Sequence, residues 1–169
     1  RAILRAGCYG DVQLLFPMIT TLEEIRRVRR MVRRVERHLD QEGVEFNKDV
    51  KIGLMLEVPA AAVAIDSFLE VVDFVSIGSN DLTQLTLGLD RDSGMELLAK
   101  DFDERDPAVK FMLQRAISTA LSMNKYVGIC GQGPSDHPDF AEWLAKEGIS
   151  SISLNPDSVV DTWQKLGSA

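Results

Sequence analysis

Cysteine is scarce in this chain, with two residues in 169, Cys8 and Cys130. They lie far apart in sequence, which excludes a disulfide framework and predicts free thiols in a cytoplasmic protein. No uninterrupted apolar run approaches the ~20 residues of a membrane-spanning helix, so a membrane partner is not expected. No secretory leader pattern opens the chain. Excess positive charge is also missing. The formal net charge is −7, which argues against nucleic acid as a partner, because such partners select basic faces. Histidine is limited to His38 and His137. No low-complexity linker and no internal repeat divides the sequence, so one domain is expected.

What remains is ordinary globular composition, 45% hydrophobic and 27% charged residues, sufficient for one sizeable core. Short apolar runs alternate with longer stretches of helical period. Val12–Ile19 reads as a strand. Thr20 and Thr21, each followed three residues later by Glu23 or Glu24, form a capping-box signature. Leu22, Ile25, Val28, Val32, Val35 and Leu39 then mark one face of a helix that ends near Gly43. Lys51–Val58 is a second strand, and Pro59 opens a helix to about Leu69. Asp73–Ser79 is a third strand, followed by a loop and a short helix from about Leu82. Asp106-Pro107 starts a long helix, Tyr126–Gly131 is a fourth strand, and Phe140, Trp143 and Leu144 mark the next helix. Ser151–Leu154 is a fifth strand, with a last helix carrying Val159, Trp163 and Leu166. Residues 1–6 read as the end of a helix closed by Gly7, without an initiator methionine, which predicts a segment of something longer.

Strands apolar on both faces, separated by helices, predict a parallel sheet with helical crossovers. A doubly wound open sheet and a (β/α)8 barrel both fit this string. Polar residues decide for the barrel. Glu57, Ser79-Asn80-Asp81 and Cys130 end three different strands, and Asn155 follows the last. An open sheet gathers its site at one switch point, usually with a glycine-rich turn, and no G-x-G-x-x-G follows any strand here. A full barrel needs eight units and about 250 residues. The expected fold is therefore α/β, a partial (β/α)8 TIM-type barrel of about five units with parallel strands. Both sheet edges and the inner face would be left open, which predicts homo-oligomerisation or poor solubility.

Glu57 interrupts an apolar strand just before a proline. A buried carboxylate needs a cation or a partner, and Asp81 occupies the same position one strand later. Two carboxylates from adjacent strand ends suit Mg2+, which takes one or two carboxylates together with substrate oxygens. They equally suit helix caps. Gly78, Ser79 and Asn80 offer backbone N–H and small polar groups for an anionic oxygen, or simply a turn. Arg91 in its polar loop can clamp an anion or lie on the surface. Cys130 ends its strand among glycines, where a thiol can act as general acid or base or remain inert. Cys8 has no such context and reads as structural. His137 reads as a helix-start residue. The arginines between Arg26 and Arg37 read as the solvated face of an amphipathic helix paired with acidic neighbours.

Gly53–Ala62 (GLMLEVPAAA), Asp73–Gln84 (DFVSIGSNDLTQ), Leu89–Arg91 and Gly128–Gly131 together resemble the C-terminal barrel of the phosphoenolpyruvate-utilising enzymes. These ordered motifs, with Phe16-Pro-Met-Ile19 and the opening residues, extend the resemblance over nearly the whole chain. Leu85–Gly94, Phe102–Val109 and Gly131–Asp139 resemble the phosphoenolpyruvate synthase (pyruvate, water dikinase) branch. Gln132 stands where the phosphate dikinase and enzyme I branches usually carry glutamate.

The resemblance implies that residues 1–169 are the C-terminal part of a phosphoenolpyruvate/pyruvate-binding barrel whose first strands lie elsewhere. It implies Mg2+ ligation by Glu57 and Asp81, substrate contacts from Glu57, Gly78, Ser79, Asn80, Asp81 and Arg91, and proton transfer at the pyruvate methyl by Cys130. The implied partners are a phosphohistidine domain and an ATP-binding domain of a longer chain. Neither His38 nor His137 sits in a carrier-histidine context, so the segment alone is expected to be inactive. The alternatives are a pyruvate phosphate dikinase or enzyme I barrel, a Mg2+-dependent lyase or aldolase acting on pyruvate enolate, and a non-catalytic scaffold.

Overall fold

A computed structural model describes residues 1–90 and 101–167. Five parallel strands form one sheet: β1 Gln13–Phe16, β2 Lys51–Leu56, β3 Phe74–Gly78, β4 Tyr126–Cys130 and β5 Ser151–Ile152. Each pairs with the next in sequence order. A doubly wound sheet must reverse its order at a switch point; this one never does, which is the winding of a (β/α)8 barrel. The sheet does not close, and β1 and β5 are its edges.

The crossovers follow from local chemistry. Helix α1 covers Ala2–Ala6 and α2 covers Leu22–Gln41. The capping box forms at the second threonine: Glu24 N–H donates to Thr21 Oγ1 at 3.3 Å, and Thr21 N–H donates to Glu24 Oε2 at 2.8 Å. Ile25, Val32 and Leu39 bury one stripe of α2, while Arg30 pairs with Glu23 and Arg29 donates to the Val71 carbonyl at 2.7 Å. The expected single helix after Pro59 is two short ones, α3 Pro59–Val63 and α4 Ile65–Leu69. The break at Ala64, with ψ of 24°, re-aims the chain so that Ala61 and Ala62 as well as Ile65, Phe68 and Leu69 are buried. Helix α5 covers Ser79–Leu87 and starts directly at the end of β3; the expected intervening loop is absent. Helix α6, Pro107–Ser122, is capped by Asp106, which accepts from Ala108 N–H at 2.7 Å. A short turn of helix, α7 Gly133–Asp136, precedes α8 Pro138–Lys146, and α9 covers Val159–Gly167.

The two faces of the sheet differ, contrary to the expectation of strands apolar on both. Register places Phe16, Leu54, Val75 and Val127 in one row and Leu56, Ile77, Ile129 and Ile152 in the next. These rows belong to the core shared with the helices. The opposite face carries the rows Leu15, Gly53, Phe74, Tyr126 and Met55, Ser76, Gly128, Ser151, and then the Gly78–Cys130 pair. Apart from the buried Phe74 its members are small, polar or partly exposed, and the Phe74 ring lies over Gly53, where a Cβ would come within 2.5 Å. One face builds stability, and the other ends in the polar strand tips.

Leu54 is fully buried at the centre of the aliphatic row. Leu54→Ala is expected to destabilise the fold by about 2–5 kcal/mol, seen as a lowered urea midpoint at unchanged m-value.

Candidate active site

Glu57 is the residue immediately after β2, and alternation turns its side chain to the polar face. It is only 3% exposed. Its Oε1 accepts the Met18 N–H at 2.6 Å. Met18 follows Pro17 beyond β1 with φ of +52°, a left-handed conformation costing a non-glycine residue about 1–2 kcal/mol. That strain sits on the peptide that bonds the carboxylate. Across the sheet the carboxylate lies against Gly78, where a Cβ would come within 2.6 Å of Glu57 Oε2.

Burial pushes the Glu57 carboxyl above its ordinary range; the Met18 N–H opposes this, and the charge of Asp81 and a hydrogen bond shared with it push further up. A hydrogen bond between two carboxyl groups requires one of them to keep a proton. The pair is therefore a hard-oxygen donor set, of the kind that suits a divalent cation. The helix-capping alternative is not what is found. Neither α3 nor α5 has a side-chain cap, and their N-cap positions are Val58 and Gly78. Among the described residues no cluster of three or more His, Cys, Asp or Glu surrounds a metal-sized point, so substrate or water oxygens would have to complete the shell.

The ends of β3 and β4 are tied together. Buried Ser79 donates from Oγ to the Cys130 carbonyl at 3.3 Å, and Gln132 N–H donates to Asn80 Oδ1 at 3.4 Å. The Cys130 thiol is half-buried, 3.6 Å from Ser76 Oγ and donating to the Ile77 carbonyl at 3.5 Å. Gly131 has φ of +155°, and a Cβ there would fall 2.0 Å from Ser79 Oγ. This is the close backbone approach expected of a glycine beside Cys130.

Glu57, Gly78, Ser79, Asn80, Asp81 and Cys130 thus share one rim of the sheet. Arg91 lies outside the described residues. His137 is the residue before α8 and makes no side-chain cap bond, in keeping with a helix-start position. Cys8 is exposed, so its expected structural role is corrected.

Glu104 was not among the sequence candidates. It is 5% exposed, and its Oε1 accepts the Gly133 N–H at 2.9 Å. Burial raises its pKa, opposed by the Ser79 hydroxyl and the Gly133 N–H, with Asp136 raising it further and His137 lowering it. Its neighbours Asp103, Arg105 and Asp106 disguise it as part of a surface charge run.

A family model described as the PEP-binding domain of PEP-utilising enzymes matches residues 1–169. The chain belongs to the PEP-utilising enzymes. The phosphoenolpyruvate synthase of Neisseria meningitidis serogroup B is 53% identical over 157 residues, 92% of this chain and 19% of the relative. That of Escherichia coli K12 is 50% identical, with the same coverage of 92% and 19%. That of the archaeon Aeropyrum pernix is 43% identical over 94% of this chain and 18% of the relative. The chain spans about a fifth of the length of these curated relatives. Among solved structures, a citrate lyase of Burkholderia xenovorans superposes with a TM-score of 0.67 at 17% identity, over 98% of this chain and 52% of that one. RipC of Yersinia pestis superposes with a TM-score of 0.63 at 12% identity, over 98% and 67%. At that identity the likeness is of fold alone, and the fold is TIM-barrel-like.

Carboxyls with raised pKa bind more protons folded than unfolded, so stability falls as pH rises from the ordinary glutamate range through the folded pKa. Glu57 and Glu104 both act in this direction. Urea titrations at stepped pH are expected to show that decline in the native chain. Each of Glu57→Gln and Glu104→Gln should make it shallower, and an unchanged slope in both variants would contradict the burial argument.

Proposed function

We propose that this chain is the phosphoenolpyruvate/pyruvate-binding part of a phosphoenolpyruvate synthase, the enzyme class that converts ATP, pyruvate and water to AMP, phosphoenolpyruvate and phosphate through a phosphohistidine. The carrying observation is the shared rim on which the Glu57–Asp81 pair faces the Cys130 strand end, in a chain about half identical to enzymes of that name. On this reading residues 1–169 are the C-terminal part of the barrel domain. A phosphohistidine domain, an ATP-binding domain and the first barrel strands are supplied by the rest of a cytoplasmic, homo-oligomeric protein.

Glu57 and Asp81 would hold Mg2+, which supplies positive charge to polarise the pyruvate carbonyl. The rest of the chemistry belongs to the chain. The Gly78–Asn80 segment opens a helix and presents its backbone N–H groups to substrate oxygens, and Arg91 is assigned to the phosphate. The Cys130 thiolate takes a proton from the pyruvate methyl carbon, leaving the enolate whose oxygen accepts the phosphoryl group. In the reverse direction the thiol returns that proton to the methylene carbon of phosphoenolpyruvate. The Ser76 hydroxyl and Ile77 carbonyl orient the sulfur. A lyase or aldolase on a similar barrel has no need of this thiol, so Cys130 separates the two classes.

Proton exchange at the pyruvate methyl, followed in D2O by NMR, tests the assignment in the protein that carries this chain. Cys130→Ala should slow exchange by about 10²–10⁴-fold while pyruvate still binds. Exchange that survives the substitution would remove the thiol from the mechanism. Calorimetry with Mg2+ and phosphoenolpyruvate should show binding that Glu57→Gln abolishes.

A further inference from the structure

The rim described above is assembled from three separate chain segments, and something must hold them in register. β3 and β4 are paired only as far as Gly78 and Cys130. Beyond them the chain leaves the sheet, as α5 on one side and as the Gly131–Gly133 turn on the other. Ladder hydrogen bonds no longer set their spacing. A further segment, residues 101–106, leads into α6. Glu104 lies on this segment and reaches into the gap between the other two.

The contacts are specific. Glu104 Oε1 accepts the Gly133 N–H at 2.9 Å, and the carboxyl also meets the Ser79 hydroxyl. The fit leaves no slack, since a Cβ at Gly133 would lie 2.5 Å from Glu104 Oε2. Ser79 in turn donates to the Cys130 carbonyl at 3.3 Å. A hydroxyl has one proton to give. The Ser79 contact opposes the rise of the Glu104 pKa, which is the effect of a hydroxyl donating to a carboxylate, so that one proton serves the Glu104 oxygen and the Cys130 carbonyl together. The result is a continuous chain of contacts from Gly133 through Glu104 and Ser79 to the peptide of Cys130.

We propose that Glu104 is a positioning residue for the proton-transfer step: it clamps the Gly131–Gly133 turn against Ser79 and so fixes where the Cys130 thiol stands relative to bound pyruvate. Glu104 itself is assigned neither to substrate nor to the reacting carbon. It acts through Ser79 and through the Cys130 backbone. It rests on the reading of Cys130 as the proton-transfer group. Glutamine can keep the same span, its carbonyl accepting from Gly133 and its amide donating to the Ser79 oxygen, which still holds a proton for the Cys130 carbonyl. Alanine and aspartate cannot, the first lacking both groups and the second too short to span them.

The test is methyl exchange of pyruvate in D2O, run on the full protein that carries this chain, with kcat and KM measured separately. Glu104→Ala and Glu104→Asp should each lower kcat by about 10²-fold, the penalty of an ångström-scale misplacement, with KM for pyruvate within about threefold of the parent value. Glu104→Gln should restore kcat to within about threefold of the parent. Gly133→Ala, which pushes on the same clamp from the other side, should reproduce the kcat defect in a protein whose Glu104 is intact, and so covers failure of the alanine variant to fold. Equal kcat in the parent and Glu104→Ala would overturn the inference, as would a Gln variant as slow as the alanine one. Exchange that depends on Cys130 but ignores Glu104 overturns this inference alone. Exchange that ignores Cys130 overturns the reading beneath it as well.

Discussion

Parallel pairing in strict sequence order is the constraint on which the rest depends. Each strand runs the same way as its neighbour, so every strand must end on the same side of the sheet, and every crossover must return along the helical layer. Glu57, Gly78 and Cys130 are far apart in the chain, yet the register of β2, β3 and β4 delivers them to one rim. The aliphatic rows on the helical side hold that register, because slipping one strand by a residue would turn its Leu, Val and Ile side chains away from the core. Chemistry at the rim is thus positioned by packing beneath it.

The rim is also electrostatically unfinished. Asp81 beside the buried Glu57 raises the Glu57 pKa, and the Met18 backbone N–H opposes the rise. Glu104 is buried to a similar degree but is answered by Gly133 and Ser79. The two carboxylates therefore differ in kind. The first leaves open a place that a cation can fill, and the second is absorbed into the scaffold that shapes the loop. Burial raises both pKa values, and only the geometry of their partners separates the proposed ligand from the proposed brace.

Much of this was legible in the residues. Alternating apolar runs and helical periods disclose the strand–helix units, Thr21 with Glu24 discloses the start of α2, and Asp106-Pro107 discloses the start of α6. Polar residues at strand ends disclose the rim, because a carboxylate or thiol closing an apolar run has no packing reason to be there. Other features depend on neighbours that a linear reading cannot weigh. Ser79-Asn80-Asp81 has the composition of a loop, yet it opens α5, since Gly78 turns the chain directly from strand to helix. Glycines in β2 and β4 interrupt no apolar pattern, so the small and polar character of the inner face emerges only when Gly53 meets Phe74 and Gly128 meets Ser151. Glu104 is hidden by its charged neighbours, and the signal that it is enclosed is Gly133, some thirty residues away.

Gly131 and Ser79 carry a consequence for how such a chain can vary. No side chain can enter at 131 while the Ser79 hydroxyl stands 2.0 Å from where its first carbon would be. Trimming Ser79 first would make room, but it would also strip the Cys130 carbonyl of its donor. Each single step is therefore closed by the other residue, and the effects of changing both cannot be the sum of the two alone. A lineage drifting through sequence space would find these two positions locked as a unit, passable only by a simultaneous change or through an intermediate with a loosened rim.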